Sequence, residues 1–355
     1  MVLKRGDFDQ RLGVVLIARD QEWNVRRLIE SVLEETRGLP GTEIVLVDSA
    51  SRDGTAAVAC DYPIEVIRLD AEQRLTAAAG RVAGMGRLSV DVVLFLDGDM
   101  ELRRGWLTEA LGLLRHAPEI AVVSGQIVDL PLGVTFSTRG TTTQVGAAVI
   151  DVTHGGGAAL YRRAALDSVG SFNAALYSEE EPELCLRLRC GGWRVVRLER
   201  PMVSHYTAPT DRIGSLFGRR RRRLYLGAGQ VVRLHAGTPL TWTYLRERGY
   251  ALPAAAGLGA SGLALVASAA RRDARPLVAW LVLAALALGA DAARKRSPYR
   301  TLHSLVVRLL FLEGMIRGYR LGADAPALPR FAVLRERLPE DSDASERNLV
   351  KGVLA

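Results

Sequence analysis

The sequence predicts an α/β domain with a mainly parallel sheet, followed by an α-helical, membrane-associated C-terminal region. Three observations carry this. Over residues 12–97, short uninterrupted apolar runs alternate with stretches of helical periodicity, the pattern of a parallel sheet covered on both faces. Two of those runs end on acids. Later come two long stretches without a charged residue, "YALPAAAGLGASGLALVASAA" (250–270) and "PLVAWLVLAALALGA" (276–290), joined by "RRDAR".

The elements follow in order. "LGVVLIA" (12–18) is a strand, and "NVRRLIESVLEET" (24–36) sets Val25, Leu28, Ile29, Val32 and Leu33 at helical spacing. "EIVLVD" (43–48) is the second strand, and "DGTAAVAC" (53–60) a helix with Asp53 placed to cap it. "IEVIRL" (64–69), "TAAAGRVAGM" (76–85) and "DVVLFLD" (91–97) give a third strand, a helix and a fourth strand. A helix at 107–116 and a strand at 120–125 come next. Residues 126–153, with "STRGTTTQ" in the middle, read as a long loop or an excursion. "GGGAALYRRAALDSVG" (155–170) gives a turn, a short strand and a helix. "SEEEPELCLRLRCGGWRVVRL" (178–198) gives an acid cluster, a helix, a glycine stop and a strand. The expected organisation is an α/β domain over 1–215 and a basic juxtamembrane linker over 216–248. A helical membrane region (249–322) and a polar tail (323–355) complete it. The membrane region comprises a hairpin at 250–292 and an amphipathic helix at 302–322.

Composition narrows the function. The 355 residues are 48% hydrophobic, enough for one large domain or two ordinary ones. The net charge of +8 favours an anionic ligand or surface. Cys60, Cys185 and Cys190 have no metal-ligand spacing, and the last two share one helix, so a reducing compartment is expected. "MVLKRGDFDQR" has no apolar core and does not read as a secretory signal. The first strand–helix turn lacks G-x-G-x-x-G, and no G-x-x-x-x-G-K-[ST] occurs. This disfavours a dinucleotide fold and a P-loop.

"VVLFLDGDM" (92–100) places Asp97 and Asp99 directly after a buried strand. In parallel sheets, ligands bind beyond the carboxyl ends of the strands. Asp48, closing the second strand, therefore lies on the same rim. A strand-end Asp-x-Asp can grip Mn²⁺ or Mg²⁺ while water and ligand phosphates fill the remaining positions. Asp-Gly is also common in plain turns. "SEEEPE" (178–183) supplies further carboxylates, of a kind that helix N-termini favour in any case.

Taken together, "VVLIARDQEWNVRRLIESVLEET", "TEIVLVDSASRDGT", "AGRVAGMGRLSVDVVLFLDGDM" and "GGGAALYRRAALDSVGSFNAALYSEEEPELCLRLRCGGWRVVRLERPMVSH" resemble an inverting family 2 glycosyltransferase with the GT-A fold. The resemblance covers about residues 12–206, and Arg81 and Gly84 stand at the family's ARNxG positions. It implies that Asp48 holds the base or ribose of a UDP- or GDP-sugar, with Ala18 beside it. Asp97 and Asp99 would engage the nucleotide-sugar and its metal, Asp99 most directly. Arg81 would sit near the diphosphate or brace the Asp-x-Asp. His205 would ligate the metal or touch the phosphates. Glu180 and Glu181 align with an acidic pair that supplies the catalytic base. Glu181 is the choice, although Glu stands where Asp is usual and Glu179 leaves the register open by one residue.

The implied activity moves a sugar onto a hydroxyl of a lipid-linked or membrane-proximal glycan, at the cytoplasmic face of a membrane. Two other readings stand beside it. One is a sugar-phosphate nucleotidyltransferase, disfavoured because "IARDQEWN" lacks a glycine-rich basic loop. The other is a catalytically silent membrane scaffold, opposed by the retained acids. "GRRRRRLYLGAGQ" (218–230) fits an anionic membrane surface, at about 1 kcal/mol per charge. No nucleic-acid partner is expected. "QVVRL" (230–234) is too altered to signal processive synthesis.

Overall fold

Strand β1 (Leu12–Ala18) is buried along its whole length, and the sheet builds outward from it. Helix α1 (Glu22–Thr36) follows, then β2 (Glu43–Asp48), α2 (Thr55–Cys60), β3 (Glu65–Leu69), α3 (Ala77–Met85) and β4 (Val92–Asp97). The computed structural model describes residues 10–132, 147–207, 213–323 and 328–337. The chain divides into two compact units, one of residues 1–208 with 324–355 and the other of 209–323.

In the first unit, β1 pairs in parallel with β2 and β4, and β2 with β3. Ala18 stands opposite Asp48 and Ile17 opposite Asp97, so three strands end on one rim. Side chains alternate between faces. Val14, Leu16, Leu46 and Leu94 pack with Val25, Leu28 and Ile29 of α1. Val15, Ile17, Val47 and Phe95 pack with Ala79 and Ala83 of α3. Burial on both faces is why these runs contain no polar gap. Gly84 lets α3 lie close on the sheet, since a Cβ there would stand 2.5 Å from a Val15 methyl.

The later strands make the sheet mixed. They are β5 (Met100–Leu102), then, after α4 (Trp106–His116), β6 (Ile120–Pro131), β7 (Val149–Asp151) and β8 (Ala159–Arg162). Helices α5 (Arg163–Val169) and α6 (Glu180–Cys190) lead to β9 (Arg194–Thr207). β8 lies antiparallel between β4 and β6, and β5 and β7 run antiparallel to β9. β6 and β9 are parallel. Residues 126–131 and 149–151, expected as loop, are thus strand. β6 is buried as far as Gly125 and then alternates between half-buried and exposed residues. Pairing with β9, a partner some 75 residues later, holds that part. "STRGTTTQ" lies outside the described residues.

The expected polar tail is corrected in part. Its residues form β10 (Phe331–Arg335), antiparallel on the open edge of β3. An edge strand has unpaired backbone groups that a short strand can satisfy. Arg330 pairs with Asp70 at 2.8 Å, and Arg337 with Glu43 at 2.6 Å and Glu65 at 3.2 Å.

The second unit is helical: α7 (Ile213–Arg221), α8 (Gly227–Leu234), α9 (Pro239–Arg248), α10 (Leu252–Arg271), α11 (Arg275–Lys295) and α12 (Pro298–Leu321). The segment read as a linker, 216–248, is therefore folded into α7, α8 and α9. Sequence periodicity missed this because α8 packs on α12 through backbone. Gly229 abuts Met315 and Tyr319, and Gly318 abuts Leu226. Gln230 of "QVVRL" is buried and donates to the Gly322 carbonyl at 2.7 Å, a structural bond. α10 and α11, of 20 and 21 residues, are long and apolar enough to cross a membrane. Within this hairpin Trp280 Nε1 donates to Ser261 Oγ at 2.9 Å.

Candidate active site

Arg81 of α3 is buried and surrounded by acid. Its Nη1 donates to Glu180 at 2.6 Å and its Nη2 to Asp97 at 3.0 Å, and Nη2 forms an ion pair with Glu181 at 2.9 Å. A planar, permanently charged guanidinium can hold several carboxylates at once. One cation among three acids leaves negative charge in excess. Burial pushes Asp97 up to about 6, against the pull of Arg81, and Glu181 and Asp99 add to the rise. Burial and Glu181 push Glu180 up as well. Burial would lower Arg81, but Glu181, Asp97 and Glu180 raise it. Glu180 and Glu181 form the first turn of α6, where the helix dipole favours acids. Glu179, at φ 65°, turns the chain into that helix. The Glu181 side chain is 15% exposed and that of Glu180 7%, so Glu181 is the more open to a ligand.

Asp99 faces elsewhere. His205 Nε2 lies 3.4 Å from its Oδ2, while His205 Nδ1 bonds Asp129 at 2.7 Å. The Asp99 bond raises His205 to about 9, against desolvation, and Asp129 assists. His205 was expected after the last strand. It lies within β9, opposite Met100 of β5, and that pairing brings it to Asp99. Asp97 and Asp99 were grouped in the sequence as metal residues. Here Asp97 Oδ1 is committed to Arg81, and the pair brought together is Asp99 and His205.

The donor set suits a divalent cation that keeps outside ligands. Among the described residues no three His, Cys, Asp or Glu side chains converge into a cage. One carboxylate and one imidazole, both partly open, leave room for phosphate oxygens and water around Mn²⁺ or Mg²⁺. Imidazole shifts the preference toward Mn²⁺. Asp129 would hold Nδ1–H and leave Nε2 to the metal.

Asp48 is fully buried at the end of β2. Its Oδ2 pairs with Arg68 Nε at 3.1 Å, and Ser51 N donates to the carboxylate at 3.3 Å. Ala18 is buried too, and its carbonyl accepts from Ser49 N at 2.8 Å. Ala18 thus closes β1 beside Asp48, with its carbonyl already bonded. Sequence reasoning missed Asp129 and Arg68. Asp129 sits in the stretch read as loop, and Arg68 inside an apolar strand, with no local signal for either.

Residues 13–170 match the model of the glycosyl transferase family 2, and residues 92–290, more than half the chain, that of the glycosyl transferase family group 2. The chain is 30% identical over 216 residues to the pre-mycofactocin glycosyltransferase of Mycobacterium tuberculosis, covering 56% of this chain and 43% of that protein. It is 26% identical over 141 residues to glycosyltransferase AglE of Haloferax volcanii, covering 38% and 43% respectively. The matched region thus spans less than half the length of either relative. The mannosyltransferase PcManGT from Pyrobaculum calidifontis, solved with GDP-Man and Mn²⁺, has the same fold. Its TM-score is 0.54 at 18% identity, covering 89% of each chain.

Proposed function

This chain belongs to glycosyl transferase family 2, and from that premise we propose an inverting, metal-dependent transfer of a sugar from a UDP- or GDP-sugar to an acceptor hydroxyl. The acceptor is a lipid-linked or membrane-proximal glycan. The observation that carries this reading is the division of labour on one sheet rim. The buried Arg81 ties Asp97, Glu180 and Glu181 together beside a partly open Asp99–His205 pair. Asp99 and His205 hold the cation, and Asp48 and Ala18 flank the nucleoside. The cation, when bound, neutralises charge on the departing diphosphate. Arg81 fixes Asp97 and the start of α6. Glu181 accepts the proton of the attacking hydroxyl, and attack opposite the leaving group inverts the anomeric centre. Glu180, the less exposed of the two and bonded to Arg81 at 2.6 Å, is the less accessible to an acceptor hydroxyl.

The apolar surface of α10 and α11 supports membrane attachment. At 1.5 Å per residue each helix is about 30 Å long, the thickness of a bilayer core. Leu263 is 73% exposed and Leu286 66%, so these helices are not a buried core pair. The arginines of α7, which precedes the hairpin by two helices, fit anionic headgroups on the cytoplasmic side.

Two variants test the assignment. Asp99→Ala should abolish the rise in melting temperature that UDP or GDP produces with Mn²⁺. Glu181→Gln should keep that rise and slow sugar transfer to membrane extracts by about 10²–10⁴-fold. Nucleotide-induced stabilisation that survives both EDTA and Asp99→Ala would refute the metal site.

A further inference from the structure

We infer that Asn24 is a positioning residue for Asp99, its side-chain amide clamping the main chain on both sides of that carboxylate. Asn24 lies in the first turn of α1 and is fully buried. Its Nδ2 donates to the Gly98 carbonyl at 3.0 Å and to the Met100 carbonyl at 2.9 Å. Both amide hydrogens are thus used on the residues that flank Asp99. Its Oδ1 accepts from Arg27 Nη1 at 3.2 Å, which sets which end of the amide faces the turn. The Asp99 carbonyl between them accepts from Tyr206 N at 2.9 Å. Three consecutive carbonyls are therefore held, two from α1 and one from β9.

The turn is pinned from below as well. A Cβ on Gly98 would stand 3.0 Å from Ala18 Cα and 2.8 Å from Gln21 Cγ, so only glycine allows this approach. α1 is a rigid support, because Val25, Leu28 and Ile29 are wholly buried beneath it. The position of the Asp99 carboxylate relative to His205 is then set by α1 on one side and β9 on the other. A bond that merely docks α1 on β5 already exists, where Leu102 N donates to Ser31 Oγ at 3.0 Å. The Asn24 bonds lie farther along, at the turn itself. That Asp99 meets the donor's cation rests on the function proposed above, whereas the clamp does not.

The test compares Asn24→Ala with Ser31→Ala in the full chain. Ser31→Ala removes a bond between the same two elements without touching the flanks of Asp99. Amide hydrogen exchange in the ligand-free protein should quicken at residues 98–101 and at Tyr206 in Asn24→Ala, and stay near wild type there in Ser31→Ala. Of Mn²⁺–UDP and Mn²⁺–GDP, whichever wild type binds should bind Asn24→Ala about 10-fold more weakly or worse. Its affinity for Ser31→Ala should be unchanged. Should Asn24→Ala not fold, Asn24→Ser, which keeps one shorter donor, carries the same comparison. Unchanged exchange at 98–101, or an equal loss of binding in Ser31→Ala, would overturn the clamp. Wild type binding neither nucleotide would sink the transferase reading instead, and the exchange comparison would still judge Asn24.

Discussion

The two units place their least water-compatible arrangements in opposite positions. The sheet unit hides charge: Arg81 is 1% exposed among Asp97, Glu180 and Glu181. The helical unit does the reverse and leaves leucines of α10 and α11 open. Neither arrangement is what stability in water alone would select. Buried acids in excess of their cation await positive charge or a proton, and exposed leucines await an apolar solvent. The contrast separates the two parts of the proposed reaction, with chemistry held by crowded polar groups and location held by apolar surface.

The strongest way to break the comparison is to remove the cation at the centre of the buried knot. Arg81→Ala leaves three carboxylates without their shared partner and should cost about 3–5 kcal/mol of stability. Denaturant unfolding of the purified protein measures this. A loss below 1 kcal/mol, on the order of an exposed ion pair, would show that water already reaches the cluster.

The next test inverts the other unit. Leu265→Arg combined with Leu283→Arg should disfavour insertion by about 2.5–3.5 kcal/mol per arginine. Cell fractionation should find the variant moved out of the membrane pellet, while its response to Mn²⁺ and nucleotide stays as in wild type. A variant that still pellets and resists carbonate extraction would remove the hairpin from the membrane assignment.

The smallest effect lies on the surface of the helical unit. Arg220, and then Arg317, hold the Glu313 carboxyl below its ordinary value. A depressed acid contributes stability above its unfolded pKa, near 4.5, and loses it as pH falls through the lowered folded value. The pair is partly exposed, so the contribution is at most about 1 kcal/mol. Melting followed by circular dichroism at pH 7 and pH 3 should show a slightly smaller acid loss in Glu313→Gln than in wild type. An identical loss would mean that water already screens the pair.

Much of the sheet was legible because its signal is local. Strands β1, β2 and β4 have uninterrupted apolar interiors, β3 is broken only by Arg68, and the helices between them repeat an apolar face. The acids that end those strands were legible for the same reason, since parallel strands share a rim. What stayed hidden depends on pairing over distance. β6 beyond Gly125 is half-exposed, and pairing with β9 makes it a strand. β10 is held by the free edge of β3 and by arginine pairs to Asp70, Glu43 and Glu65. α8 owes its place to glycine contacts with α12.

The sequence by itself determined the fold class, the rim on which Asp48, Asp97 and Asp99 gather, and the apolar hairpin. Those follow from periodicity and strand direction, which neighbouring residues set. Tertiary structure alone decided which acids act together. It gave Asp97, Glu180 and Glu181 to Arg81, gave Asp99 to His205, and added Asp129 and Asn24 around them. The reason is that electrostatic pairing acts through space over a few ångströms. Residues such as Asn24 and Met100, 76 apart in the chain, become partners only when the sheet and helices bring them there.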